Sequence, residues 1–395
     1  MIEKALSGSK RYWGWIFFLL AVMGGAFLAY LYQYTTGLGV TGLSRDVPWG
    51  FYIAQFTFLV GVAASAVMVV IPYYLHDFKV FGKLAVLGEF VAVAAVTMCI
   101  TFIFVDLGQP FRLMNVFLHP SPTSLMFWDT LVCAGYLVLN VIITFVTFGA
   151  ERKGIKPPAW IKPIIYLSIP WAISIHTVTA FLYAGLSARP FWLTAILAPR
   201  FLASAFSAGP SLLILLCLIL RRFAKYDVGE VPIRKLAVIV TYAMAANVFF
   251  VALEIFTAVY SNIPAHMEHF TYMYFGLTLP DGTRAAALAP WMWTSTVLSL
   301  VSLLMLLTPS IRNNLKWLGV ACVMVFFGLW IEKGLGLVIT GFVPNPMEGV
   351  TEYMPSGIEV MIALGIWSMG FLIITVLYKV AITVRKADPQ AEIVH

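Results

Sequence analysis

A charged or protonatable side chain is costly inside a long apolar run, and this chain keeps several there. Glu89, Asp106, Asp129, His176, Glu254, Glu332 and Lys333 fall within or at the ends of stretches built of Leu, Val, Ile, Ala and Phe. Even the mildest scale puts a charge at the centre of a bilayer at about 2.5 kcal/mol, so each such residue needs a partner, a cavity or a task. Their types suit proton and hydrogen-bond chemistry. An imidazole can donate to a carbonyl oxygen, and a carboxylate in a low-dielectric site takes up protons near neutrality. Together they match a quinone, whose two ring oxygens need hydrogen-bond partners and whose redox change moves two protons. His176, Thr179, Ala180 and Tyr183 follow the i, i+3, i+4, i+7 spacing of one helix face, and Asn247 and Glu254 repeat the seven-residue step. These two faces are expected to line one cavity. Plainer uses compete with that reading. A single intramembrane His can be a helix-to-helix hydrogen bond, Glu332 beside Lys333 can be charge compensation, and Asp106 and Asp129 can cap helix ends.

The elements that must position these residues follow from composition. With 11% charged and 61% hydrophobic residues and a mean hydropathy of +0.91, the chain lies far from a soluble domain, which is roughly a quarter charged. About 20 apolar residues cross a hydrocarbon core. Runs of that length recur at 13–34, 49–75, 83–106, 125–149, 163–186, 201–220, 236–260, 288–308, 315–339 and 357–381. The expected fold is therefore all-α, a polytopic bundle of about ten transmembrane helices occupying 1–395 as one domain. If the connections alternate sides, nineteen of the 25 Lys and Arg residues fall on one side. Five, Arg45, Arg112, Arg189, Arg200 and Arg284, fall on the other, and Lys333 lies inside helix nine. The positive-inside rule then places both termini in the cytoplasm of a prokaryotic cell. The longer connections, 261–287 and 340–356, face outward and offer a docking surface. Glu89 lies in the inner half; the other protonatable candidates lie toward the outer face.

Composition and spacing also exclude some chemistry. Cys99, Cys133, Cys217 and Cys322 are scattered singly, without the paired spacing of zinc, iron-sulfur or covalent haem sites. Only His176 lies deep in a predicted helix. His76, His119, His266 and His269 lie at helix ends or in connections, so paired haem ligands at one depth are not expected. The basic pI needs no nucleic acid to explain it, since cytoplasmic loops supply the positive charge.

Val105-Asp106-Leu107-Gly108-Gln109-Pro110-Phe111-Arg112 resembles the DLGxPxR signature of the polysulfide-reductase-like, NrfD-type membrane subunits. Pro48-Trp49-Gly50 looks like that family's entry to helix two, and Ser174 to Ala180 followed by Ala188-Arg189-Pro190-Phe191-Trp192 is similar to its longer, ten-helix branch. Within that branch the P subunit of the sulfite-reductase-linked Dsr complex is nearest in character. The resemblance implies a membrane anchor that exchanges electrons between menaquinone, bound as substrate, and a ferredoxin-like iron-sulfur subunit outside. Further redox subunits, such as a multihaem cytochrome c and a membrane cytochrome b, are implied in dissimilatory sulfur metabolism. It also implies no haem or iron-sulfur cluster in this chain. By position, the implied quinone-binding residues are His176, Asp129, Asp106, Arg112, Tyr52, Tyr183 and Glu254. Arg112 is expected to hold Asp106 ionised. Glu89, Asp106, Asp129, Glu254 and Glu332 are candidates for proton transfer. Gln55 stands where the branch has an acidic residue on helix two, so a proton route there is not expected. A secondary transporter, or a purely structural anchor for redox subunits, is the rival reading.

Overall fold

In lipid every backbone amide must be bonded within the protein, and helices meet that requirement locally. Each of the ten apolar runs is accordingly a helix in the computed structural model, which describes residues 7–76, 78–153, 155–279 and 282–387. Lys4, counted above on the basic side, lies outside them. The helices long and apolar enough to span a membrane are α1 Lys10–Thr36, α2 Phe51–Tyr73, α3 Lys79–Asp106, α4 Leu125–Ala150, α5 Ile161–Ala184, α6 Leu197–Ala224, α7 Glu230–Ser261, α8 Ala289–Leu307, α9 Leu315–Thr340 and α10 Gly357–Thr383. The protein is a multi-pass integral membrane protein. Expected and observed boundaries differ by at most six residues, and the largest gap is at the start of α7.

Helix packing divides the bundle. α2, α3, α4 and α5 form one ring, with each helix against the next and α5 closing on α2. α6, α7, α8 and α9 form a second ring in the same order, closed by α9 on α6. The rings share a wall where α2 meets α6 and α9, and where α5 meets α6. This makes α2 the most enclosed helix of the ten. α1 and α10 pair with each other, and α10 lies on α3. α1 turns Phe17, Phe27 and Leu28 outward, as a helix bathed in lipid should.

One face carries the longer connections. A short helix, Pro264–Phe275, precedes a two-stranded hairpin in which β1 (Leu277–Thr278) pairs antiparallel with β2 (Arg284–Ala285). The start of α10 on this face is a capping box, in which the Glu359 carboxylate accepts from Ser356 N at 2.8 Å and the Ser356 hydroxyl from Glu359 N at 3.3 Å. Glu359 also accepts from Gly42 N at 2.7 Å and from the Tyr353 hydroxyl at 2.6 Å. That hydroxyl in turn accepts from Phe51 N at 2.7 Å, which ties α10 to the first turn of α2. Gly50 allows the approach: a Cβ there would sit 2.5 Å from the Tyr353 ring.

Candidate functional site

The first ring holds the imidazole that the sequence singled out. His176 is wholly buried, and neither ring nitrogen has a hydrogen-bond partner. A neutral imidazole presents one donor and one acceptor, and leaving both unmade in a low-dielectric interior is costly. One turn along α5, the Thr179 hydroxyl lies 2.6 Å from Asp129 Oδ1 and 2.7 Å from Ile175 O. Thr179 has a single proton to share between these two acceptors. One turn further, Tyr183 shares a short hydrogen bond with Thr57 of α2. The Tyr183 ring is enclosed by Trp49, Trp192 and Phe201. His176, Thr179 and Tyr183 thus form the single interior face that their spacing predicted, at about 12, 8 and 2 Å from the end of α5 at 1.5 Å per residue.

The motif residues divide between this site and its frame. The Trp192 indole donates to Leu337 O at 2.9 Å, and Arg189 lies over the Phe342 ring at 4.6 Å, so the Arg-Pro-Phe-Trp segment locks the α5–α6 connection onto the end of α9. Tyr52 is buried, but its hydroxyl donates to Gln33 at 2.6 Å, whose amide donates to Val105 O at 2.7 Å. Asp106, at the end of α3, keeps a buried oxygen without a partner. Its expected pairing with Arg112 is not made. Pro110 turns the chain into the short helix Pro110–Met114, which leaves Arg112 exposed and outside ion-pair distance of Asp106. Gln55 accepts from the indoles of Trp330 and Trp367, each at 2.9 Å, and is a fixed structural acceptor. Glu89 lies deeper in the ring, on a small, mostly apolar cavity of about 10 Å³ whose polar lining also includes Tyr136, Asn140 and Ser168. Such a cavity has room for about one water.

Glu254 does not share the His176 site. α5 and α7 each pack on α6 rather than on one another, so the polar faces expected to meet belong to different rings. In the second ring Glu254 pairs with Arg200, which also reaches Glu332 at 2.6 Å. Asn247 donates to the other Glu332 oxygen at 3.0 Å. A predicted helix starting at residue 201 leaves Arg200 in a connection. The helix begins at Leu197, which carries Arg200 one turn inside and buries it. Pro199 beside Arg200 was the available signal, since Pro is tolerated in a first helical turn. Glu332 and Lys333 occupy a π-helical segment, Trp330–Gly336, and the two side chains take different partners. Glu332 joins the Arg200 network. Lys333 donates to Phe201 O at 3.2 Å and lies 4.2 Å from the Phe201 ring centre.

A model of the polysulphide reductase NrfD family matches residues 39–344. The chain belongs to that family. The matched stretch of this NrfD-family protein runs from just before α2 to just after α9, so it contains both rings and omits α1 and α10. Over 392 residues the chain is 26% identical to the Hdr-like menaquinol oxidoreductase integral membrane subunit of Archaeoglobus fulgidus, covering 95% of this chain and 94% of the relative. It is 20% identical to one of the subunits of selenate reductase from Mesobacillus selenatarsenatis, over 86% and 87% of the two chains. It is 19% identical to the menaquinone reductase integral membrane subunit of Nitratidesulfovibrio vulgaris, over 94% and 91%. These alignments run nearly end to end, so the likeness takes in the whole ten-helix bundle and not the two rings alone.

Proposed function

We propose that this NrfD-family chain is the quinone-handling membrane subunit of a respiratory complex. It exchanges electrons between menaquinone-type quinone in the bilayer and a ferredoxin-like iron-sulfur subunit docked on the face that carries the 261–288 connection. The observation that carries the reading is His176, fully buried with both ring nitrogens unpartnered. A quinone oxygen accepts from the imidazole N–H, and a quinol hydroxyl donates to the bare nitrogen, so one side chain serves both redox states. The names of the menaquinol- and menaquinone-linked relatives agree with this assignment.

In the proposed cycle, oxidising a quinol releases two electrons to the iron-sulfur partner and two protons to the protein. Asp129, through Thr179, takes a proton from the ring and Asp106 passes protons toward the connection-bearing face, which is the outer face by charge asymmetry. Tyr183 and Tyr52 shape the approach to the ring. Glu89, on its small cavity, is the proton group toward the opposite face. We further place the complex in dissimilatory sulfur metabolism, with a multihaem cytochrome c and a membrane cytochrome b among its subunits, on the strength of the motif resemblance. A structural anchor pairs its buried charges among themselves, which describes the Arg200 network but not His176 or Asp106.

The test is quinol-dependent reduction of the iron-sulfur partner by the assembled complex. His176→Ala and Asp129→Asn should assemble normally and lose turnover. Full turnover in assembled His176→Ala complex refutes the assignment, and loss of assembly with residual specific activity intact supports the anchor.

A further inference from the structure

The second ring opens sideways between α7 and α8. A cavity of about 160 Å³ lies there, walled by Val248, Val251, Ala252, Ile255 and Leu300 and ending at Asn247, Ser299 and Glu332. Ala252 and Leu300 are exposed on the surface that faces lipid, so the cavity is entered from the bilayer. An apolar cavity of roughly 150 Å³ takes up a benzene ring, which sets the size of the guest. The deep end sets its chemistry. Asn247 and Ser299 are both more than nine-tenths buried, and Asn247 Oδ1 and Ser299 Oγ have no hydrogen-bond partner. Asn247 is not free to turn, because its amide nitrogen is committed to Glu332. It therefore presents an acceptor to the cavity. Thr296 and Ser295, also in the lining, spend their hydroxyls on Met292 O and Gly328 O. A phosphate headgroup is disfavoured, since Glu332 stands at the end of the cavity and Arg200 is already held by two carboxylates. A ring that offers only carbonyl oxygens would set acceptor against acceptor at Asn247.

We propose that this groove is a second site for quinol, separate from His176, which binds the reduced ring through a hydroxyl donated to Asn247 Oδ1 and a hydrogen bond with Ser299. The proposal rests on the reading that the chain handles quinone, but on none of the same residues. Asn247, an acceptor alone, favours the reduced form, whereas His176, with a donor and an acceptor, accepts both. Quinol held there lies beside the Glu332–Arg200–Glu254 network and can enter or leave through the α7–α8 gap.

The complex purified through this subunit and reconstituted in nanodiscs is titrated with 2-heptyl-4-hydroxyquinoline N-oxide, with fluorescence quenching as the readout. Two saturable sites per chain are expected. Ala252→Trp on α7 and, independently, Leu300→Trp on α8 should each remove one site by filling the groove from the lipid side; His176→Phe should remove the other. If both groove variants keep the native stoichiometry, the groove proposal is overturned, whatever His176→Phe does. If they lose a site while His176→Phe loses none, the groove stands and the His176 reading falls. A native complex that binds no probe overturns both. In the His176→Phe complex, 2-methyl-1,4-naphthoquinol should displace the remaining probe about tenfold more effectively than the corresponding quinone; equal displacement overturns the hydroxyl-to-Asn247 assignment.

Discussion

His176 and Arg200 are both buried ionisable residues, yet they differ in what surrounds them. Neither nitrogen of His176 has a hydrogen-bond partner, whereas Arg200 is held by Glu254 and Glu332. Removing the first should cost function, and removing the second should cost stability. His176→Gln is expected to lower quinol-dependent turnover by about a hundredfold, in the range for losing one acid-base group, with unchanged assembly on native gels. Arg200→Met leaves two carboxylates without their cation, a change of roughly 3–5 kcal/mol when a buried pair is broken. Thermal unfolding in detergent should register that loss. Adding Glu254→Gln and Glu332→Gln should restore much of it, because the uncompensated charges then go as well. His269 makes a third case. It is buried in the short helix Pro264–Phe275, and its Nδ1–H donates to Thr340 O at 2.8 Å and Val343 O at 3.0 Å. Burial lowers its pKa from the ordinary 6.5, against the opposing effect of the two carbonyls. The unfolded segment therefore binds a proton before the folded one, so its stability is full above about pH 6.5 and falls as the solution is acidified. Protection factors over residues 264–275, corrected for intrinsic exchange, should fall from pH 7 to pH 5, and His269→Gln should remove most of that dependence.

At the scale of elements, the π-helical segment of α9 is the feature that gives two adjacent charges different partners. π turns are uncommon and concentrate at functional sites; this one sets Glu332 and Lys333 toward different neighbours. Small residues hold it in place. A Cβ on Gly334 would come within 3.0 Å of Ala54 O on α2, and one on Gly336 within 2.5 Å of Met292 Sδ on α8. Beyond the segment, Gly341 meets the Trp192 indole at 2.0 Å from where its Cβ would be. That indole is pinned by its bond to Leu337 O, so it cannot turn away cheaply. Gly341→Ala is expected to destabilise by about 1–3 kcal/mol through overpacking, seen as a lower unfolding temperature. Gly357→Ala, where the space is open, is the matched control.

At the scale of the whole molecule, two four-helix rings share the wall formed by α2, α5, α6 and α9, with α1 and α10 added at one side. The His176 group and the Arg200 network sit in different rings but toward the same face, the one with the longer connections. From the Lys and Arg asymmetry we propose that this face lies outside the cell. With the four buried native cysteines replaced, Glu348→Cys should react with an impermeant maleimide on intact cells, and Lys225→Cys only after lysis. The opposite pattern reverses the orientation and every assignment of proton exit made from it.

The number of crossings, their limits to within a few residues and the single polar face of α5 were all legible along the chain. They follow from local quantities: the length of an apolar run and the 3.6-residue period are fixed by neighbours in sequence. The Asp-Leu-Gly and Arg-Pro-Phe-Trp motifs also carried the family. Which polar faces meet is a matter of packing. Spacing put Asn247 and Glu254 on one side of α7, but nothing local states whether that side turns toward α5 or toward α6 and α9. Ring closure in the second bundle turns it toward Arg200 and Glu332. Arg200 was hidden by an uncertain helix start, and the missing Arg112–Asp106 pair by a proline turn that sends the two side chains apart. The orphaned acceptor on Asn247 was likewise beyond sequence, because a group is known to lack a partner only when all of its neighbours are known.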